Sequence, residues 1–266
     1  MSSQAHFLLT VLLMLGSLAT CGVLGWRAIK GPPLPAADNR RVATWPSWLL
    51  PAAIFCWLVV SSVFSRRLPA LYKDGANTEA IHDTLTRNTM MIAILFLALA
   101  SLVALARWKS PAPEPALPPI HRQLVYGLVG FLTCLLPTAI VFILTEPYRT
   151  DADMHPLLQL IGQDPSGQLL MAVPVSAVLV APWTEEMAFR VIMQRSLLRN
   201  CSPSLSILLT AFAFCAIHPS WQDAVALLPL AIVLGVTYHR TGSYLAVVLI
   251  HMLFNAVNIV SMMAEP

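Results

Sequence analysis

The sequence predicts an all-α fold, a polytopic transmembrane helix bundle of about eight spans, and three observations carry that prediction. Its 266 residues are 57% hydrophobic and only 11% charged. An average soluble domain is about 25% charged, so the charges present do not suffice to build a water-facing surface. Mean hydropathy is +0.71, and the apolar residues gather into runs close to the roughly 20 helical residues that cross a bilayer. The connections between runs are polar and rich in proline.

Taken in order, the runs place spans at about 7–26, 46–65, 89–106, 124–145, 170–199, 203–221, 223–239 and 243–263. The first, Phe7–Trp26, follows a segment with no Lys or Arg. A secretory signal carries a basic region there, so a retained span is expected rather than a cleaved leader. Between the first and second spans, Gly31–Trp45 holds Pro32, Pro33, Pro35, Arg40 and Arg41. Between the third and fourth lies a stretch with Pro111, Pro113, Pro115, Pro118 and Pro119, which reads as an extended linker. That linker divides residues 1–123, a plainer set of spans, from residues 124–266, which contain the ionisable residues buried within spans. The fifth span carries Glu185, Glu186 and Arg190 in its interior, and Pro174 and Pro182 are expected to kink it. No internal repeat is visible.

Charge and cysteine usage remove several classes of function. A net charge of +3 gives no basic surface for nucleic acid, so none is expected as a partner. Of the five cysteines, Cys21, Cys56, Cys134 and Cys215 lie within apolar runs, Cys201 lies at an edge, and no CxxC occurs. That is neither a disulfide framework nor a thiolate metal site. The basic residues flank spans, as topology signals do. With the N-terminus outside, 11 of the 16 Lys and Arg fall on the inner side. Both termini are then expected outside, against the contrary charges of the 66–88 loop. The compact length suits a multi-pass protein of a bacterial inner membrane.

Ionisable groups inside spans are costly and face a cavity or a partner. In Thr184-Glu185-Glu186-Met187-Ala188-Phe189-Arg190, Glu186 and Arg190 stand four apart, acid first, the favourable order for a helical ion pair. Glu185 points about 100° away and keeps no partner in the motif, which suits a general base. An interfacial salt network is the plain alternative. Phe214 and His218 share a helix face, and Pro219 ends the helix just beyond. A single histidine there is more often a satisfied core group than a catalyst. His251 and Asn255 lie four apart, and Asn258 extends their stripe. Helix–helix hydrogen bonding explains that stripe as well as chemistry does. Depth decides whether the groups can meet. At 1.5 Å per residue, Glu185 lies about 20 Å from the end of its span and His218 about 22 Å from the start of the next. His251 and Asn255 lie about 12 and 18 Å along the last. One layer, reached from the inner face, can therefore hold all four.

Together the three groups resemble the CPBP family, which includes type II CAAX prenyl endopeptidases and bacterial Abi-type proteins. The pattern is EExxxR, FxxxH and HxxxN, here Glu185-Glu186-xxx-Arg190, Phe214-xxx-His218 and His251-xxx-Asn255. The resemblance covers roughly residues 170–260. It implies an intramembrane glutamic endopeptidase in which Glu185 and His218 activate water and His251 and Asn255 stabilise the oxyanion. Glu186, Arg190, Phe214 and Asn258 are expected as supporting residues. The implied partners are the lipid bilayer and a membrane-associated peptide or protein, with the site open to the cytoplasmic side. No cofactor is expected. Zinc is the rival, since two His and a Glu can bind it with an open fourth position, but HExxH is missing and Glu185 serves better as a base. Two readings of other classes stay open: a non-catalytic scaffold or bacteriocin-immunity-type protein, and a proton-coupled transporter.

Overall fold

The computed structural model describes residues 3–30, 46–65, 78–109, 117–149, 173–218 and 220–264. Among these there are helices and no strands. The prolines expected in the Gly31–Trp45 and 111–116 connections lie outside the described residues, as does most of the 66–88 loop. The main helices among the described residues are α1 (Ser3–Lys30), α2 (Leu49–Ser65), α3 (Thr78–Lys109), α4 (Ile120–Thr145), α5 (175–197), α6 (Pro203–Ala216), α7 (Trp221–Ala226), α8 (Leu228–Thr241) and α9 (Tyr244–Ala264).

Each of the eight expected segments is helical. Among the described residues, four helices are long and apolar enough to cross a membrane, covering Gln4–Ala28, His82–Lys109, Ile120–Tyr148 and Tyr244–Ser261. Leu49–Val60 and Pro203–Ala216 are shorter apolar helices. The outward faces are apolar too: Phe7, Leu12, Phe55 and Ile143 are each more than 60% exposed. Such a surface has lipid as its natural solvent.

The expected span at 223–239 is instead two helices, α7 and α8, which meet at Leu227. Pro229 stands in the first turn of α8 and lacks the N–H that a continuous helix requires there. Helix α6 likewise stops at Ala216 rather than near 221, and a serine cap starts it, Ser202 Oγ accepting from the Leu205 N–H. Gly242 closes α8 in the left-handed conformation, φ 62°, with its N–H on the Tyr238 carbonyl.

Helix α4 is the hub, packed by α1, α7, α8 and α9. Its contact with α9 depends on small residues. A Cβ on Gly127 would stand 2.7 Å from Leu249 Cδ2, and one on Gly130 would strike Ile250. Close backbone approach through glycine is the usual way apolar helices gain contact in lipid, where water no longer drives them together. Helix α5 runs on the other side of α9, touching α2, α3 and α6 as well. It alternates between helical types: π over Val175–Val180, α over Ala181–Glu186, π over Met187–Gln194 and α over Arg195–Leu197. Wide π turns of this kind recur at functional sites because they redirect side chains.

Candidate active site

The two acidic residues sit at the junction of the α and π turns of α5. Pinning of the preceding turn sets where they point. Tyr244 donates its hydroxyl to the Trp183 carbonyl, Thr184 Oγ1 reaches the Ile92 carbonyl of α3 at 3.2 Å, and the Trp183 ring packs edge-on to Phe96 and Tyr244. Helices α3 and α9 thus hold the Trp183–Glu186 turn from two directions.

Glu186 is fully buried and wholly committed. One carboxylate oxygen accepts from Arg190 Nε at 2.9 Å, and the other takes His251 Nδ1–H at 2.9 Å. Because Nδ1 gives its proton to a carboxylate, the other ring nitrogen of His251 is the one that faces the site. That Nε2 lies 3.9 Å from Glu185 Oε2. Glu185 keeps 19% of its side chain exposed, whereas Glu186 and Arg190 keep none. The two neighbouring acids therefore have different jobs. Glu186 is a buried buttress that neutralises Arg190 and orients His251. Glu185 is the more open carboxylate, facing an imidazole that its neighbour has already aligned.

Phe214 joins the remaining pieces. Its buried ring packs on both imidazoles, 5.2 Å from His218 and 5.6 Å from His251 between centroids, and the Arg190 guanidinium lies 5.3 Å above it. His218 falls just past the end of α6, where Nδ1–H donates to the Phe214 carbonyl at 3.0 Å. A carbonyl oxygen can only accept, so Nδ1 carries the proton. In the neutral ring Nε2 then keeps its lone pair for a proton acceptor's role.

Asn255 is on the same side of α9 as His251, but its observed bond goes elsewhere. Nδ2 donates to the Ala177 carbonyl at 2.8 Å. That carbonyl needs an outside donor for a definite reason. The Ala181 N–H is already given to Ser176, and the next residue is Pro182, which has none to give. Asn255 fills the gap that the proline leaves, and its second amide hydrogen stays available.

Asn258 departs from the expected stripe. It is exposed, and the buried line of α9 passes from His251 through Phe254 to Ile259 instead. At about 100° per residue Asn258 lies within about 20° of His251 around the helix, so its exposure follows from what packs against that part of α9 and not from its angle. The described geometry thus gathers Glu185, Glu186, Arg190, Phe214, His218 and His251, keeps Asn255 at the edge through Ala177, and leaves Asn258 out. It also brings in Tyr244, Trp183 and Thr184, which sequence spacing does not single out. Their hydroxyl and ring contacts join residues far apart in the chain. Among the described residues no three His, Cys, Asp or Glu side chains stand close enough to hold a metal ion.

A comparison with protein families yields a match. The family described as Type II CAAX prenyl endopeptidase Rce1-like matches residues 167–257, about a third of the chain and the part that contains every residue of this cluster. The match carries the recognition of a CAAX-type protease domain and supports a protease acting on membrane-associated protein. No curated protein and no solved structure matches.

Proposed function

We propose that this protein is an intramembrane endopeptidase that hydrolyses a membrane-associated peptide or protein tail with water activated by Glu185 and His218. The observation that carries the reading is the division of labour between adjacent acids. The relay Arg190–Glu186–His251 is buried and uses both carboxylate oxygens of Glu186, and Glu185 stands beside it without an ion pair to an arginine, 3.9 Å from His251 Nε2. A carboxylate whose neighbour has absorbed the cation suits a general base.

In this mechanism Glu185, aided by the lone pair of His218, takes a proton from water. The water oxygen attacks the scissile carbonyl carbon, and the carbonyl oxygen becomes an oxyanion. His251 in its doubly protonated form, with Nδ1–H held by Glu186 and Nε2–H left free, and the second amide hydrogen of Asn255 are the donors assigned to that oxyanion. The carbon–nitrogen bond then breaks, and the proton held by Glu185 passes to the departing amine. Zinc has no assigned role in this reading, because Glu185 is used as the base and not as a ligand. The Lys and Arg distribution favours an opening toward the cytoplasmic side of a bacterial inner membrane, with the Cys201 turn on that side.

The test is cleavage of candidate membrane peptides by purified protein, with and without a chelator, beside Glu185→Ala and His218→Ala. Each variant is expected to lose about 10²–10⁴-fold in rate, the range of a positioned acid or base, while keeping its thermal unfolding temperature. Wild-type rates in either variant would remove that residue from the mechanism, and a chelator-sensitive rate would restore zinc. In sealed cells, Cys201 is expected to resist a membrane-impermeant thiol reagent. Its rapid labelling would invert the orientation.

A further inference from the structure

His218 is the one member of the cluster that is not on a regular helix. It sits in the turn between α6 and α7, held on one side by its bonds to Phe214 and Cys215 of α6 and joined on the other to α7. Helix α7, on the far side of the turn, is fastened from an unexpected place. Three consecutive residues of α7 are tied to Tyr148 and Arg149, which follow α4 by one short turn and lie 73 or 74 residues earlier. The Trp221 ring packs on Tyr148, 6.0 Å between centroids. Gln222 Nε2 donates to the Tyr148 carbonyl at 2.7 Å. The Asp223 carboxylate takes Arg149 Nη1 at 2.7 Å. Arg149 is itself aimed, with its guanidinium 4.1 Å above the Phe142 ring. The Asp223 backbone N–H closes back on Ser220 Oγ, the cap of α7, at 3.1 Å.

We infer that the Arg149–Asp223 ion pair is a clasp that positions His218 for the reaction proposed above, by anchoring the α6–α7 turn to the short turn that follows α4. The inference rests on that reading for its catalytic consequence and on geometry for its mechanical one. Both partners are only about one-fifth exposed or less, so water does not screen the pair as it would at an open surface. Its place is informative as well. Glu185, Glu186 and His251 are held by helices on which they already lie. His218 lies one short turn from α7, and its bonds, ring to Phe214 and backbone N–H to Cys215, all go back to α6. Loss of the clasp leaves the ring on Phe214 but frees the chain that leads away from it. An imidazole displaced by an ångström is costly when it must meet a water and a carbonyl together.

The experiment uses the full-length protein with Arg149→Ala, Asp223→Ala, the double variant and Arg149→Lys. Two quantities are read: kcat and KM for peptide cleavage, and diethyl pyrocarbonate modification of each histidine by mass spectrometry. The expected result is a fall in kcat of about 10–100-fold with KM unchanged. The double variant should be no worse than either single, and Arg149→Lys should recover part of the loss. Labelling should rise several-fold at His218 and stay constant at His251. Wild-type kcat and labelling in both single variants would overturn the clasp. So would labelling that rises equally at His251 together with a lower unfolding temperature, since that reports general loosening. If the wild-type protein cleaves no peptide, the proposed reaction fails, and the labelling at His218 still decides the clasp.

Discussion

Two prolines interrupt two helices of this bundle, and the bundle repairs them differently. In α4, Pro137 has no N–H for the Thr133 carbonyl, and α1 supplies the substitute. Cys21 Sγ lies 3.6 Å from that carbonyl, and one turn earlier Ser17 donates to the Leu132 carbonyl while accepting the Leu136 N–H at 2.9 Å. In α5, Pro182 leaves the Ala177 carbonyl without a backbone donor, and Asn255 of α9 supplies one at 2.8 Å. The physical problem is the same, a backbone acceptor with no water to turn to. The first repair uses a hydroxyl and a thiol from a helix that carries no other polar partner in the site, and it serves packing alone. The second uses a carboxamide four residues from His251, so it also fixes the register of α9 against α5. His251 meets Glu186 and Asn255 meets Ala177, two bonds that must form together. A repair of backbone polarity becomes part of a catalytic frame when the residue that makes it shares a helix with the chemistry.

The sharpest way to break this contrast is to remove the charge that the frame encloses. Arg190→Leu strands Glu186 in a site with no exposure. Removing one member of a buried ion pair costs about 3–5 kcal/mol. Arg190→Leu should therefore lower the unfolding temperature more than any change at the α1–α4 repair. Equal unfolding temperatures for Arg190→Leu and Ser17→Ala would show that the two regions do not differ in this way.

A finer measurement separates the two jobs assigned to Asn255. Asn255→Ala leaves the Ala177 carbonyl buried without a donor, a loss of about 1–3 kcal/mol, and removes an oxyanion donor besides. Adding Pro182→Ala supplies a backbone N–H at the place where Asn255 had donated. The pair is expected to regain stability and not cleavage. The measurement is the unfolding midpoint beside the cleavage rate for the two variants. Recovery of both would make Asn255 a purely structural residue, and recovery of neither would mean that Ala177 is not the carbonyl at issue.

How much of this is legible in the sequence depends on the range of the interaction. The all-α class and the positions of the helices follow from apolar runs and proline spacing, which are local. The Glu186–Arg190 bond follows from a separation of four residues on one helix. The break inside 223–239 escapes a sequence reading because Pro229 is tolerable at the start of a helix and intolerable in the middle. Composition alone does not say which position it occupies. Helical spacing groups Asn258 with Asn255, yet only packing decides which of two adjacent stripes is covered. The links of Arg149 to Asp223 and Ser17 to α4 join residues 74 and about 115 positions apart. No periodicity reports such pairs. The nearest available signal is scarcity: in a chain with so few charges, a lone arginine just after one apolar run and a lone aspartate just before another invite pairing.

The smallest expected effect tests the inert side of the comparison. Ser17→Ala removes the hydroxyl that spans Leu132 and Leu136, and Cys21→Ala removes the thiol over Thr133. Hydrogen bonds between helices in lipid average about 0.6 kcal/mol and reach about 1.7, so each variant should lose about that much stability. Cleavage should stay at the wild-type rate, because α1 supplies no group to the Glu185–His218–His251 cluster. The same Pro137 gap then predicts that Pro137→Ala makes the Cys21→Ala loss vanish, its new N–H meeting the Thr133 carbonyl directly. Unfolding midpoints and rates measured on these variants decide the matter. A tenfold drop in rate from Ser17→Ala at unchanged stability would mean that α1 reaches the chemistry after all. The two repairs would then be the same device used twice.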